Sequence, residues 1–185
     1  PMYNPRAFKW ALFHPAGGMI WASRAVSATA SIVQRKGVAI RNGVKVVSIQ
    51  KDKSGVKSVK DSGGKIWEAE KFLFTAGYWS RELLKPWGVP ITLTKQEQLF
   101  LRPQEGRGRY RPEHFPVFAS LTGGFYGFPV HIQGFIKIGN HRKGPVVKTA
   151  NPGDLRTLTP KFEKSCRRFL KKFIPELAGF VDYEG

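Results

Sequence analysis

Cysteine occurs once in 185 residues, at Cys166. An internal disulfide is therefore excluded, and the chain reads as a protein of a reducing compartment. No apolar run approaches the roughly 18 to 20 residues that a membrane-spanning helix requires. Trp10–Phe13 and Met19–Trp21 are too short, and too interrupted by glycine, to form the apolar core of a signal peptide, so a soluble cytoplasmic protein is expected. Cysteine and histidine show no metal-ligand spacing, and no metal is expected. A Walker loop, a Gly-x-Ser-x-Gly elbow, internal repeats and low-complexity tracts are also missing. Gly106-Arg-Gly108 lacks the third glycine of a dinucleotide-binding turn. Acidic residues are scarce: 13 Asp and Glu stand against 31 Lys and Arg, leaving a formal net charge of +18 and a pI near 10.3.

What is present excludes a disordered chain. Apolar residues make up 41%, with 14 Phe and 5 Trp, enough for one full core or two small lobes. The basic excess would attract any polyanion, so a non-catalytic nucleic-acid-binding module, using the Lys/Arg of residues 102–111 and 161–172, is the competing reading. Against it, no helix-turn-helix, zinc-finger or RNP-like pattern occurs, and the basic residues are spread along the whole chain rather than gathered in one stripe.

Taken in order, the chain predicts an α+β fold. Arg24–Lys36 carries apolar residues at helical spacing, with Ser23 as its N-cap and Gly37 as its stop. Val38–Arg41, Lys45–Lys51, Gly55–Lys60 and Lys65–Glu70 read as short strands separated by Asn42-Gly43, Asp52–Gly55 and Asp61–Gly64, turn sequences that make an antiparallel meander. Lys71–Thr75 is nearly continuous in apolar residues and reads as a buried strand ending at Ala76-Gly77. Ser80 is expected to cap a helix over Arg81–Trp87, closed by Gly88. Leu93–Arg102 reads as one strand despite its polar Lys95–Gln98. Residues 103–116 form a basic loop expected to be mobile. Pro116–Leu121 is another strand, residues 145–160 connect, and Lys161–Phe173 is a helix with Phe162, Cys166, Phe169, Leu170 and Phe173 on its inner side. Between them Phe125–Val130 and Gly134–Asn140 form a tight hairpin. Alternation puts Ile136 and Ile138 on one face and Phe135, Lys137 and Gly139 on the other. Lys137, with His141 beyond the strand end and Tyr126 on the partner strand, is the candidate polar edge of a ligand site.

Several stretches, in one order and spacing, resemble a known family. They are Gly17-Gly-Met-Ile20, the helix before Lys36-Gly-Val38, Val44–Ile49, Phe74-Thr-Ala-Gly-Tyr-Trp-Ser80, Leu83-Leu84, Gly88-Val-Pro90, Phe115-Pro116, Tyr126-Gly-Phe-Pro129, Lys137-Ile-Gly-Asn-His141 and Gly144. Together they resemble the centre of the monomeric sarcosine oxidase and N-methyltryptophan oxidase group of D-amino-acid oxidase-like flavoproteins. The resemblance implies an FAD-dependent amine or amino-acid oxidase that moves hydride from the carbon beside nitrogen to flavin and reduces oxygen to hydrogen peroxide. It implies catalytic roles for Lys137, His141 and Tyr126, and contacts with FAD at Val46, Ala76, Gly77 and Trp79. It divides the chain into a partial FAD-binding domain over 1–90 and a substrate domain over 91–185, the latter a mixed, mostly antiparallel sheet with flanking helices. The partners implied are a small amine or amino acid, molecular oxygen and the remainder of the same polypeptide. The family's phosphate-binding glycine turn, its substrate-carboxylate Arg and Lys, and its flavin-linking cysteine have no counterparts here. Lys95-Gln96 stands where Arg-Gln is usual. Opening on Pro1, the chain is expected to be a fragment that binds FAD weakly or not at all and is inactive alone.

Overall fold

A computed structural model describes residues 2–103, 106–130, 132–148 and 158–183. The fold is α+β, and the chain separates into two compact units. A meander unit takes Trp21–Leu93 and the described residues of Val146–Ala150. A sheet unit takes the described residues of Pro1–Ile20, Thr94–Pro145 and Asn151–Gly185.

The meander unit opens with α1 (Ala22–Arg35), whose start lies one residue before the expected cap. Trp21 holds the N-cap position, where its side chain makes no capping hydrogen bond, and the Arg24 guanidinium lies 3.9 Å over its ring. Ser23 therefore lies inside the first turn rather than outside it as the cap. Strands β1 (Val46–Asp52), β2 (Gly55–Asp61) and β3 (Ile66–Glu68) follow as an antiparallel sheet in the order β1-β2-β3. Carboxylates set both turns. Asp52 accepts from the Ser54 amide and hydroxyl at 2.7 Å each. Asp61 accepts from the amides of Gly63 and Lys65 and, at 2.8 Å, from the Trp67 indole.

Two expected strands of this unit are absent. Lys71–Thr75 and Val38–Arg41 have no ladder partner, and Leu73 is 88% exposed. A strand is defined by the neighbours that take its backbone groups, and among the described residues no ladder includes these runs. Phe72 and Phe74 stack on each other at 6.2 Å instead, with Phe74 edge-on to Trp87. The next helix is shorter than expected: α2 (Ser80–Leu84) passes into a 3-10 turn over Lys85–Trp87 that Gly88 closes in the left-handed region. A separate two-stranded ladder joins β4 (Leu93–Thr94) and β9 (Val146–Val147).

The sheet unit is built on five strands. They are β5 (Gln98–Arg102), β6 (Phe118–Ala119), β7 (Phe125–Phe128), β8 (Ile136–Asn140) and β10 (Val181–Asp182), in the order β10-β5-β8-β7-β6 with every pair antiparallel. Leu99, Leu101, Ile136 and Ile138 on one face meet Cys166, Phe169 and Leu170 of α3 (Pro160–Phe173), and Tyr110, Phe115, Ile174 and Leu177 complete this core. The basic segment after Pro103 is anchored rather than loose over 106–116: Tyr110 and Phe115 are buried, and the Tyr110 hydroxyl donates to Glu176. Its residues 104 and 105, and most of the 145–160 connector, lie outside the described residues.

The polar stretch that divides the expected Leu93–Arg102 strand serves packing. Glu97 accepts from the Thr159 amide at 2.6 Å and from its hydroxyl at 2.9 Å, while Thr159 accepts from the Phe162 amide as the N-cap of α3. In the amide orientation that satisfies both ends, Gln96 donates to the carbonyls of Asn140 and Arg142 at 3.1 and 3.2 Å. At the other end of α3, Asn4 donates from its backbone to Phe173 and from its side chain to Lys172, covering carbonyls that a helix end leaves unpaired.

Candidate functional site

The register of β5, β7 and β8 assembles the site from the bottom up. Tyr126 lies opposite Gly139, Phe128 opposite Lys137, Phe100 opposite Lys137, and Gln98 opposite Gly139. Side chains of directly opposed residues share a face. With Ile136 and Ile138 pointing into the core, the other face therefore carries Gln98, Phe100, Tyr126, Phe128, Lys137 and Gly139. This is the face on which period-2 alternation put Lys137.

Lys137 is half-buried among rings. Its Nζ stands 5.4 Å from the centroid of Phe128. No carboxylate among the described residues pairs with it, and burial alone holds its pKa below the usual lysine value. Phe100 packs edge-on against Phe135 at 4.7 Å, and Phe135 against Tyr183 at 5.0 Å, so further aromatics extend along this face. Tyr183 is held there by its amide, which donates to the Phe100 carbonyl at 2.8 Å.

Tyr126 and His141 meet. Their ring centroids are 4.3 Å apart with 29° between planes, and the His141 amide donates to the Gly124 carbonyl at 2.9 Å, fixing the chain just beyond β8. Tyr126 and His141 are thus in contact, and Tyr126 and Lys137 share one sheet face. Phe128, which sets the surroundings of the ammonium, was not singled out from sequence; hairpin register was the signal that would have found it.

The four remaining candidates belong to the meander unit. Val46 opens β1 opposite Asp61. Ala76 precedes a 3-10 turn over Gly77–Trp79 and accepts from the Trp79 amide at 3.1 Å. Gly77 has φ +55°, a left-handed conformation that a residue with Cβ resists, and the space over its Cα is open. Trp79 is 60% exposed, its ring against Tyr78 at 4.2 Å. Cys166 has no place in the site: it is fully buried in the core, and burial pushes its thiol up to about 12.

The DAO family profile, described as FAD dependent oxidoreductase, matches residues 1–184. The chain belongs to this family. It is 26% identical to monomeric sarcosine oxidase of Streptomyces avermitilis over 185 residues, which cover 97% of this chain and 47% of that protein. It is 29% identical to N-methyl-L-tryptophan oxidase of Yersinia pestis over 144 residues, 76% of this chain and 37% of that protein. The chain therefore spans about half or less of the length of these relatives. Among solved structures, fructosyl peptide oxidase from E. terrenum superposes with a TM-score of 0.72 at 17% identity, covering 91% of this chain and 43% of that one; it supports the fold alone. Fructosamine oxidase (Amadoriase II) from Aspergillus fumigatus gives 0.69 at 25% identity, covering 89% and 42%. Among the described residues of this DAO-family chain, no helix is long and apolar enough to cross a membrane.

Proposed function

We propose that this chain is the central portion of an FAD-dependent amine oxidase, and that the outward face of its five-stranded sheet is the reacting edge. The observation that carries the reading is the Lys137 ammonium, half-buried among aromatic rings with no described carboxylate to neutralise it. Leaving a cation half-desolvated and unpaired costs stability, and such a cost is tolerated where a site needs the charge.

The residues present suit one part of FAD. An aromatic-lined face with a fixed cation matches a flat ring system on which negative charge collects during reduction. The open backbone over Gly77 suits close approach of a cofactor, with Val46, Ala76 and Trp79 as its further contacts. The diphosphate has no cradle in this sequence, so the isolated chain is expected to purify without flavin and to be inactive.

FAD, when bound, would supply the two-electron oxidising chemistry for a C–N bond, with oxygen proposed as the final acceptor and hydrogen peroxide as the product. Lys137 holds its proton and its charge where oxygen gains electrons, and a preorganised charge in a poorly solvated setting is worth on the order of 10²–10³ in rate. His141 and Tyr126 present a polar-edged ring pair to the amine and carboxylate of the substrate. The related enzymes are named for sarcosine, N-methyl-L-tryptophan, fructosyl peptides and fructosamines. Amines with a substituent on nitrogen are the class they share and the class proposed here.

The test is Lys137→Met in the complete reading frame, followed by stopped-flow flavin absorbance. Reoxidation by oxygen is expected to slow at least a hundredfold while reduction by substrate changes far less; unchanged reoxidation overturns the assignment. Because burial lowers the lysine pKa in the folded state, charging it opposes folding below that lowered value, and stability rises as pH climbs from there toward the ordinary lysine value. Lys137→Met is therefore expected to be at least as stable as the parent at neutral pH, which separates lost chemistry from lost fold.

A further inference from the structure

We propose that Gly139 is a positioning residue, which holds the Tyr126 ring flat across β8 and against His141 because position 139 has no side chain. The inference rests on the amine-oxidase reading only for its consequence, since the geometry stands by itself.

Tyr126 and residue 139 are direct cross-strand partners. Two opposed side chains on an antiparallel pair have Cβ atoms about 4.5–5.5 Å apart and stand beside one another, away from the sheet. Here the ring lies down instead. A Cβ at position 139 would be 2.4 Å from Tyr126 Cζ, 2.5 Å from its Oη and 2.8 Å from Cε1, so the ring occupies the space a side chain would take. With the ring in that place, the hydroxyl ends over residue 139, two positions from Lys137 and two from His141 along the chain, and the imidazole stacks on the ring with centroids 4.3 Å apart.

Backbone conformation gives no other reason for glycine. Gly139 is not among the glycines with positive φ, and it sits inside a regular strand where glycine is unfavourable. Gly127 gives the contrast. A Cβ there would meet the Phe118 ring at 2.4 Å and Ile138 Cδ1 at 3.0 Å, contacts of the core face rather than of the site. One glycine makes room for the core, the other for Tyr126.

The experiment is a double-mutant cycle in the complete reading frame with Gly139→Ala, Tyr126→Ala and both together, read by denaturant unfolding and by the His141 ring resonances, assigned through His141→Gln. Gly139→Ala alone is expected to lower the folding equilibrium about tenfold to a hundredfold through overpacking, and to lose most of that cost once Tyr126 is Ala. Ring-current displacement of the His141 protons is expected in the parent and absent in both single variants. An equal cost of Gly139→Ala with and without Tyr126, or an unmoved His141 resonance in Gly139→Ala, overturns the proposal. Should Gly139→Ala fail to fold, a folded double variant upholds it and an unfolded one refutes it. None of these readouts needs flavin. A cycle that holds while the complete protein shows no amine-dependent flavin reduction therefore sinks the oxidase reading alone, and a cycle that fails leaves that reading standing.

Discussion

Helices α1 and α3 both have 14 residues and both carry an apolar stripe, yet α3 buries Cys166, Phe169 and Leu170 while α1 buries nothing. The α3 stripe faces a sheet whose Leu99, Leu101, Ile136 and Ile138 fill the space between the layers. On α1 the corresponding residues, Ala25, Val26, Thr29, Ala30 and Val33, line an open groove. The ends differ as well. Thr159 caps α3, Glu97 holds that cap, and Asn4 takes carbonyls at the far end, whereas α1 begins at Trp21 with no capping side chain. Periodicity marks which side of a helix is to be covered; it does not supply the cover. Helical stability in proteins comes mostly from that covering layer.

The sharpest way to break this contrast is to cut both helices at equivalent apolar positions. Leu170→Ala is expected to cost about 3–4 kcal/mol, because the side chain is fully enclosed and the cavity can relax only in part, while Val26→Ala, at a position 68% exposed, should stay within about 0.5 kcal/mol. Denaturant midpoints of the two variants measure the difference, and equal losses would mean that α1 is covered after all. A smaller effect is expected at the caps. Thr159→Ala should cost about 1 kcal/mol and Ser23→Ala nearly nothing, since only the former side chain satisfies helix-terminal donors; amide exchange in the first turn of each helix reads this directly. The smallest effect concerns the meander. The Trp67 indole bond, foremost, and the Lys65 and Gly63 amides hold the Asp61 carboxyl below the usual aspartate range. Its contribution is therefore present above the ordinary aspartate pKa and fades as pH falls through the lowered folded value. Trp67 fluorescence should report local loosening in that acid window in the parent and no such step in Asp61→Asn.

Much of the fold was legible one segment at a time. Asp52–Gly55 and Asp61–Gly64 announced their turns because Asp, Ser and Gly close them with their own side chains and backbone freedom. The inward side of α3 followed from 3.6-residue spacing, and the shared face of Lys137 and Gly139 from alternation. Lys71–Thr75 misled because an apolar run states a preference for burial, and a strand also needs neighbours. The capping of α3 by Asn4, across 168 positions, had no local trace. Neither did Glu97, whose polarity looked wrong for a strand until Thr159 stood beside it.

By itself, then, the order of residues determined the turns, the helix faces and the two sides of each strand, since these depend on atoms only a few bonds apart. Which strands became neighbours, and hence that Tyr126 came to rest on Gly139 beside His141 while Lys137 came to lie by the Phe128 ring, was decided in three dimensions. Those contacts join residues on separate strands, and they exist only once the sheet has closed around a core that no single segment contains.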